Sequence, residues 1–319
     1  MRINLPMIFA TILFICSSVA MAQLNSLPRT LVSTKGADTT GCGTQTSPCR
    51  TFGVAINQTV IGGEVIAIDS GIYDTFDLAL QFPITLSAAP GVHAELGETD
   101  GDFRLTVNAP STAKVAIRNL ILLRGASGTG DAIFAKSVGI LTIENCTIDG
   151  YGGGIDVELA TSAHVSISNT TIRNGEIGAY FSTSSGTLKV MIDHCRFENF
   201  NGSAFSAYLG HGVAAMDRSR VFVTNSTASG NDGAGFFAGA SGSELQADNC
   251  QSFGNRDGFL AYGGDHGAGL MMVSNSAAEN NSRYGFGQTT SALFYSEGNN
   301  TVRRNTTNTS GTITVVAPT

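Results

Sequence analysis

Short runs of alternating hydrophobic and polar residues recur along the chain, and each run ends at an asparagine or at a position equivalent to one. The runs include VAIRN, LTIEN and VSISN, and their last residues are separated by 26, 24, 25, 31, 24, 26 and 24 residues. Strict alternation predicts strands that bury every second side chain. A repeat of this length without helices predicts one coil of a parallel β-solenoid. The eight repeated positions are Asn119, Asn145, Asn169, His194, Asn225, Asn249, Asn275 and Asn299.

Each coil is predicted to hold three short strands. The first follows a small residue, as in IDVEL after Gly154, AFSAY after Ser203 and FFAGA after Gly235; the second ends at the repeated asparagine, and the third follows it. Alternation directs one set of large side chains into the coil. Together with earlier strand-like runs, these segments predict an all-β fold of about ten coils. The inward set is Ile155, Val157, Phe181, Phe236, Phe259 and Phe286.

The repeated asparagine fits a sharp bend between two strands. Asparagine tolerates the left-handed backbone region, and its amide can bond a neighbouring backbone group. Stacked coils would therefore carry a ladder of asparagine hydrogen bonds. Glycosylation at sequons such as Asn169 and Asn225 is the alternative interpretation.

The N-terminal residues resemble an export signal. Arg2 precedes an apolar stretch from Leu5 to Cys16, and Ala20 and Ala22 form a small-x-small cleavage site. We expect residues 1–22 to be removed and the protein to be secreted or periplasmic. Since no other apolar run reaches the ~18 residues that span a bilayer, no membrane span is expected. An uncleaved anchor is the alternative.

Residues 23–62 are predicted to form an N-terminal cap. Ser47 as N-cap, Pro48 in the first turn, and Phe52, Ile56 and Val60 at helical spacing predict an amphipathic helix. Such a helix would cover the open apolar end of the solenoid. Residues 63–305 would then form the solenoid and 306–319 a C-terminal tail.

The cysteines separate into two groups. Cys42 and Cys49 bracket a short polar loop and are predicted to form a disulfide in an oxidising compartment. Cys146, Cys195 and Cys250 each follow the repeated position in alternate coils, so they are ~10 Å apart and predicted to be buried free thiols. That distance also argues against a metal site formed by these cysteines.

Charge narrows the range of partners. The chain has a net charge of -7 and only 18 lysines and arginines, so it lacks the basic surface that nucleic acid binding needs. We expect a monomer that binds a polysaccharide.

Several segments resemble the pectate-lyase-like right-handed parallel β-helix superfamily, over roughly residues 28–305. They are PCRTFGVAI, GGEVIAIDSGIY and VSISNTTIRNGEIGAYF. The resemblance implies the fold, but the superfamily includes lyases, hydrolases, epimerases, adhesins and phage proteins. VMIDHCRF is similar to the WIDH segment of pectate lyases, yet His194 occupies the asparagine position, so Asp193 and His194 are expected to be structural. Gly210, His211 and Gly212 resemble the GHG of polygalacturonases, although the chain has no Asp-Asp pair.

The superfamily keeps its grooves on the outer face of the first sheet, so outward residues there are candidates for substrate binding. Aromatic side chains in this set could stack on sugar rings. Alternatively, the C-terminal tail covers them. The candidates are Asp156, Glu158, Tyr180, Phe205, Phe237 and Tyr262.

Acidic residues at similar positions before the first sheet could gather a Ca²⁺ ion, which binds carboxylate oxygens from several segments. The candidate ligands are Glu176, Asp232 and Asp257, with Asp131 in a similar position. Solvated turn residues are the simpler interpretation.

Catalytic candidates come from the turn after the first sheet. AYLGHG and AYGGDHG place His211 and His266 comparably, and the 31-residue coil adds Asp217 and Arg218. Two hypotheses remain: a carbohydrate-active lyase or hydrolase, or a non-catalytic surface, adhesion or carbohydrate-binding protein.

Overall fold

The alternating sequence folds into a parallel β-solenoid. The computed structural model describes residues 27–74, 76–97, 104–124, 130–202, 210–264 and 267–317. The predicted export signal, Phe205 and His266 lie outside these ranges. The solenoid has about 9 turns, close to the predicted number, and three parallel sheets form its sides.

The strands, numbered in chain order, are grouped here by sheet. Sheet 1 contains β4 (Leu78–Leu80), β7 (Leu105–Asn108), β10 (Asp131–Ser137), β13 (Gly153–Leu159), β16 (Ile177–Thr183), β19 (Val213–Ala215), β22 (Ala234–Ala238), β25 (Asp257–Ala261), β30 (Tyr284–Gln288) and β33 (Thr307–Ser310). Sheet 2 contains β1 (Leu27–Val32), β2 (Thr59–Ala67), β5 (Ile84–Ala88), β8 (Lys114–Arg118), β11 (Ile140–Glu144), β14 (Ala163–Ser168), β17 (Leu188–Asp193), β20 (Ser219–Thr224), β23 (Glu244–Asp248), β28 (Leu270–Ser274), β31 (Leu293–Ser296) and β34 (Ile313–Val315). Sheet 3 contains β3 (Gly71–Ile72), β6 (Ala94–Leu96), β9 (Leu120–Leu123), β12 (Thr147–Asp149), β15 (Thr171–Gly175), β18 (Arg196–Phe200), β21 (Thr227–Ser229), β24 (Gln251–Phe253), β29 (Ala277–Glu279) and β32 (Thr301–Arg303). A small antiparallel pair, β26 (Gly263–Gly264) and β27 (Gly267–Ala268), lies between β25 and β28.

The interior is a continuous stack of apolar side chains. The predicted inward residues are all buried, and the rings of Phe236 and Phe259 stack with centroids 4.9 Å apart. Phe286 meets Phe259 edge to face at 5.6 Å. Each coil therefore buries its apolar residues against the coils on either side, as the alternating sequence predicts.

The repeated asparagines turn the chain between sheets 2 and 3. Asn119, Asn145, Asn169, His194, Asn225, Asn249 and Asn275 all have positive φ. The predicted ladder forms directly where two asparagines are adjacent, as when Asn249 Nδ2 donates to Asn225 Oδ1 at 2.7 Å. Elsewhere a neighbouring aspartate accepts the bond, as Asp193 does from Asn225 at 2.8 Å. Most of these asparagines are exposed to solvent.

A second row of asparagines is buried in the turn between sheets 3 and 1. The N–H of Asn231 donates to Asn255 Oδ1 at 3.0 Å, and the N–H of Asn255 donates to Asn281 Oδ1 at 3.0 Å. Asn255 Nδ2 also donates to the carbonyl of Ala228 at 3.0 Å. Each amide therefore satisfies two backbone groups of the preceding coil. The row continues to Asn305, whose Oδ1 accepts from the N–H of Asn281 at 2.9 Å.

The N-terminal helix is shorter than the sequence predicts. Helix α1 (Phe52–Gln58) begins after Thr51, whose hydroxyl accepts from the N–H of Val54, so the prediction of Ser47 as N-cap is wrong. Asp74 stabilises the helix start at Phe52. Its carboxylate accepts hydrogen bonds from the N–H groups of Phe52 and Gly53 at 2.7 and 3.0 Å. Val60 lies in β2 rather than in the helix. The role of α1 as a cap stays a prediction.

Both cysteine predictions are confirmed. Cys42 and Cys49 form a disulfide, and Cys146, Cys195 and Cys250 are buried free thiols. Burial raises the pKa of the Cys146 thiol to about 11 and that of Cys250 to about 12. These thiols stay protonated and act as small apolar groups of the core.

The region after residue 305 continues the solenoid. Strand β33 pairs with β30 in sheet 1, and β34 pairs with β31 in sheet 2. The described residues therefore extend two sheets instead of crossing the aromatic positions of sheet 1. In the described ranges, no helix is long and apolar enough to cross a membrane.

Candidate functional site

The outward face of sheet 1 carries one row of side chains in register. Phe134 lies opposite Asp156, Asp156 opposite Tyr180, and Phe237 opposite Leu260. Because side chains alternate along each strand, residues two positions away from this row point outward as well. Lys136 and Glu158 occupy such positions.

Asp156 is a largely buried carboxyl group on this face. Its Oδ1 atom is inaccessible to solvent and has no hydrogen-bond partner. Phe134 and Tyr180 occupy the adjacent register positions, so aromatic side chains flank it along the solenoid. Burial, followed by the charges of Asp131 and Glu158, raises the pKa of Asp156 to about 8. The group is therefore protonated at neutral pH and can donate a proton.

Three carboxyl groups gather around Tyr180. Glu158 follows Asp156 by two residues on β13, which places their Cα atoms ~6.6 Å apart on the same face. Burial, then the charges of Glu158, Asp156 and Asp217, raises the pKa of Tyr180 to about 12. The structure thus brings together three residues that the sequence nominated for substrate binding and one, Asp217, that it nominated for catalysis. We call Asp156, Glu158, Asp217 and Tyr180 the carboxylate cluster.

A basic and aromatic patch lies one coil before the cluster. The guanidinium of Arg104 lies 5.5 Å, and the ammonium of Lys136 4.9 Å, from the ring centroid of Phe134. Arg104 also pairs with Asp131 at 3.6 Å. The sequence argument missed Phe134 and Lys136 because it began the outward row at IDVEL. Extending the alternation back into the segment DAIFAKS would have found both.

His211 is a packing residue and not an exposed one. It is 5% exposed, its Nδ1 accepts from the N–H of Ala234 at 2.8 Å, and its ring stacks on Phe237 with centroids 4.3 Å apart. The prediction placed it after a strand AFSAY, whereas the sheet 1 strand of this coil is β19 and His211 precedes it. The extra residues of the 31-residue coil therefore come before the strand.

The remaining catalytic candidates are Asp217, Arg218 and His266. Asp217 belongs to the carboxylate cluster, and Arg218 has a positive φ and donates from Nη1 to the carbonyl of Ser184. His266 lies outside the described residues.

The predicted aromatic row is only partly accessible. Phe237 is 2% exposed and packs with Ile177, Met216 and Leu260 in a cluster outside the main core. Tyr180 is half-buried against this cluster, and Tyr262 is exposed with its ring 5.9 Å from that of Phe237. Tyr180 and Tyr262 remain available to a ligand, whereas Phe237 is a structural residue.

The residues predicted to bind Ca²⁺ are not gathered around one point. Arg283 donates two hydrogen bonds to the buried carboxylate of Asp257, at 2.7 and 2.5 Å. Glu176 precedes β16 and Asp232 precedes β22, so they are two coils or ~10 Å apart. Among the described residues, the three-residue group of possible metal ligands that lies close enough is Asp38, Cys42 and Cys49, whose sulfurs form the disulfide.

Asp193 and His194 lie away from sheet 1: Asp193 is the last residue of β17 in sheet 2, and His194 is in the turn that leads to sheet 3. His194 Nδ1 is 2.8 Å from Asp193 Oδ2, and Asp193 Oδ1 accepts from Thr224 and Asn225 at 2.6 and 2.8 Å. The pair supports the bend of the chain, as the repeat position predicts.

Comparison with solved structures finds proteins that act on polysaccharides. Pectate lyase Pel9A shares 14% sequence identity at a TM-score of 0.46, over 89% of this chain and 80% of that one. The mannuronan C-5 epimerase AlgE4 A-module of Azotobacter vinelandii shares 12% identity at a TM-score of 0.38, over 81% of this chain and 90% of that one. A rhamnogalacturonan lyase shares 16% identity at a TM-score of 0.36, over 85% and 70%.

A family comparison covers more than half of the chain. Residues 131–307 match the family described as "Right handed beta helix region". This range includes the carboxylate cluster and the sheet 1 strands from β10 to β30. The chain therefore belongs to the right-handed β-helix family.

Proposed function

We propose that this protein is an exported polysaccharide-binding β-helix that hydrolyses glycosidic bonds at the carboxylate cluster. The observation that carries the proposal is Asp156, a carboxyl group with a pKa of about 8 on the outward face of sheet 1. A buried acid of this kind lowers stability at neutral pH, so a catalytic role gives a reason for its presence.

Glycoside hydrolysis uses two carboxyl groups in different states of protonation. One is a general acid with a raised pKa, and the other acts as a base or nucleophile, with the two groups ~5 to 9.5 Å apart. Asp156 fits the acid, and Glu158 is exposed on the same strand and face. We assign Asp156 the role of protonating the leaving oxygen and Glu158 the role of the second carboxylate.

Neither Tyr180 nor Asp156 suits the role of base in a β-elimination. A lyase needs a deprotonated base next to the sugar. Tyr180, with a pKa of about 12, is a neutral phenol at working pH, and Asp156 holds its proton. Tyr180 is better suited to stack on a sugar ring and donate a hydrogen bond.

The patch at Phe134 supports binding of an acidic chain. Arg104 and Lys136 flank its half-buried ring, so a sugar stacked there would place a carboxylate near two cations. Tyr262 gives a further exposed ring several coils away on the same side. A polysaccharide containing uronic acids fits this face better than a neutral one.

The test is a panel of neutral and uronate-containing polysaccharides, with reducing ends and unsaturated products both measured. We expect reducing ends without unsaturated products, and loss of turnover but not of binding in Asp156→Asn. Glu95→Gln, on sheet 3, is the matched control and should keep full activity. Unsaturated products would replace hydrolysis with elimination, and binding without turnover on every substrate would establish the non-catalytic alternative.

A further inference from the structure

A small cavity lies on sheet 3, on a different side of the solenoid from the carboxylate cluster. Its volume is about 250 Å³. Pockets for drug-sized ligands occupy ~300 to 1,000 Å³, so this cavity suits a single small ring. Its lining residues come from β24, β29 and the turn after β29, and they are Gln251, Ser252, Phe253, Ala277, Glu279 and Asn280.

An exposed aromatic ring lines this cavity. Phe253 is 44% exposed, and it lies in register with Ser229 on one side and Glu279 on the other. Gln251, two residues earlier on the same strand, lies in register with Ala277. The small side chains of Ser229 and Ala277 leave room beside the Phe253 ring. An accessible aromatic face of this kind can stack on the C–H face of a sugar.

A row of positive-φ residues follows sheet 3, one residue before the buried asparagine row. Asn199 Nδ2 donates to Asn174 Oδ1 at 3.3 Å, and Asn174 Nδ2 donates to Asp149 Oδ1 at 2.7 Å. Each of these amides therefore donates toward the preceding coil. The positions of the row are Gly150, Asn174, Asn199, Gly230, Gly254, Asn280 and Arg304.

Two glycines interrupt this row next to the cavity. The side chain of Asn199 covers Gly230, since a Cβ there would lie 2.6 Å from Asn199 Oδ1. A Cβ at Gly254 would instead have its nearest contact, the nitrogen of Gly230, at 3.9 Å, so the space at Gly254 is open. Asn280 occupies the same position one coil later. Within the described residues its side-chain amide makes no hydrogen bond, because Gly254 offers it no acceptor.

Glu279 adds an oriented acceptor to the cavity. Arg303 Nε donates to Glu279 Oε1 at 2.9 Å, and Arg303 Nη2 lies 2.9 Å from the same oxygen. In the described part of the chain, no hydrogen bond reaches Glu279 Oε2. Because Arg303 is engaged in this ion pair, a carboxylate entering the cavity would meet the charge of Glu279 without a cation to offset it.

We propose that this cavity binds one neutral pyranose ring, as a second carbohydrate site separate from the carboxylate cluster. The C–H face of the sugar stacks on Phe253. Its hydroxyl groups accept from Asn280 Nδ2 and donate to Glu279 Oε2, since a hydroxyl can do both. A uronate ring is disfavoured because its carboxylate would lie beside that of Glu279. The site does not depend on hydrolysis at Asp156.

An NMR titration tests the site and the class of ligand. The probes are the methyl β-glycosides of glucose and galactose, compared with the corresponding uronides, which add only the carboxylate. At least one neutral glycoside should shift the side-chain amide signals of Gln251 and Asn280 with a dissociation constant of about 1 to 10 mM, and its uronide should bind about tenfold more weakly. No shift with either neutral glycoside at about 50 mM, or equal binding of the uronide, would overturn the proposal.

Gly254→Asn tests the gap in the row. The φ of Gly254 is 64°, which asparagine tolerates, and the new amide can accept from Asn280 and restore the row. The variant should therefore remain folded by circular dichroism and lose glycoside binding. Gly150→Asn is the matched control, because it makes the same change in the same turn four coils away and should leave binding unchanged.

Phe253→Ala tests the stacking contact. It should weaken glycoside binding about tenfold, whereas Ile72→Ala, at a residue 47% exposed elsewhere on sheet 3, should not change it. Binding that survives both Gly254→Asn and Phe253→Ala would overturn the proposal. Asp156→Asn should bind the glycosides at this cavity as the wild type does, so a failure of the hydrolase proposal and a failure of this one are measured separately.

Discussion

Asp156 lies opposite Tyr180 on adjacent strands of sheet 1, and burial raises the pKa of both groups, to about 8 and about 12. The folded protein holds a proton on Asp156 at a pH where the unfolded chain, with an ordinary pKa of 3.8, has lost it. The contribution of Asp156 to stability therefore falls as pH rises from about 4 through about 8, because the folded state binds this proton more tightly than the unfolded chain does.

Asp156→Asn should remove this pH dependence. At pH 7 the variant should be more stable than the wild type by about 2 to 4 kcal/mol, since each unit of pKa shift corresponds to about 1.4 kcal/mol. Near pH 4 the two proteins should differ little. Urea unfolding at pH 4, 7 and 9 measures the difference, and a constant difference across these pH values would contradict the raised pKa.

The two asparagine rows should respond differently to alanine. Asn255→Ala leaves the N–H of Asn231 and the carbonyl of Ala228 buried without partners, so we expect a loss of about 2 to 4 kcal/mol. Asn249→Ala removes an exposed bond to Asn225, and water can replace it, so the loss should be below about 1 kcal/mol. Chemical unfolding of the two variants checks the prediction. Equal losses of stability in the two variants would mean that burial does not determine how much each asparagine contributes to stability.

His211→Ala should destabilise the fold. The substitution removes the acceptor for the N–H of Ala234 and the ring that stacks on Phe237, so we expect a loss of about 2 to 4 kcal/mol. Tyr262→Ala is the matched control on the exposed side of the same aromatic contact and should change stability by less than about 1 kcal/mol. Thermal unfolding would distinguish them. An unchanged melting temperature in His211→Ala would restore His211 as a candidate for catalysis.

Calcium should not stabilise the protein through Asp257. Arg283 already neutralises this buried carboxylate, so Arg283→Ala should cost about 3 to 5 kcal/mol. Added Ca²⁺ should leave the melting temperature of the wild-type protein unchanged. A rise of several degrees with Ca²⁺, abolished by Asp232→Asn, would show that the acidic turns bind the ion after all.

Periodicity in the sequence is sufficient to predict the coils, because burial on one side of each strand forces strict alternation. Ile155, Phe236 and Phe259 are inward for this reason, and the positive φ of Asn225 follows from the bend. A search for regularly spaced asparagines would also have found the buried asparagine row between sheets 3 and 1. Its members, Asn231, Asn255, Asn281 and Asn305, recur every 24 or 26 residues.

The errors occur where one coil departs from the repeat or depends on its neighbour. Nothing local shows that the extra residues of the 31-residue coil precede β19, so His211 was placed on the wrong side of its strand. Asp257 resembles a calcium ligand until Arg283 of the next coil is considered. The sequence predicts which face carries Asp156, but the burial of the Asp156 side chain depends on aromatic residues in two other coils.

The buried asparagine row also makes the coil an exchangeable unit of length. Asn231, Asn255 and Asn281 satisfy the preceding coil in the same way, so any one of them can follow any other. Removing residues 232–255 would place Asn281 where Asn255 had been, one coil nearer, with the same acceptor and donor. The solenoid can therefore be shortened or lengthened in whole coils during evolution or by engineering, while insertions of part of a coil are confined to the connections between strands.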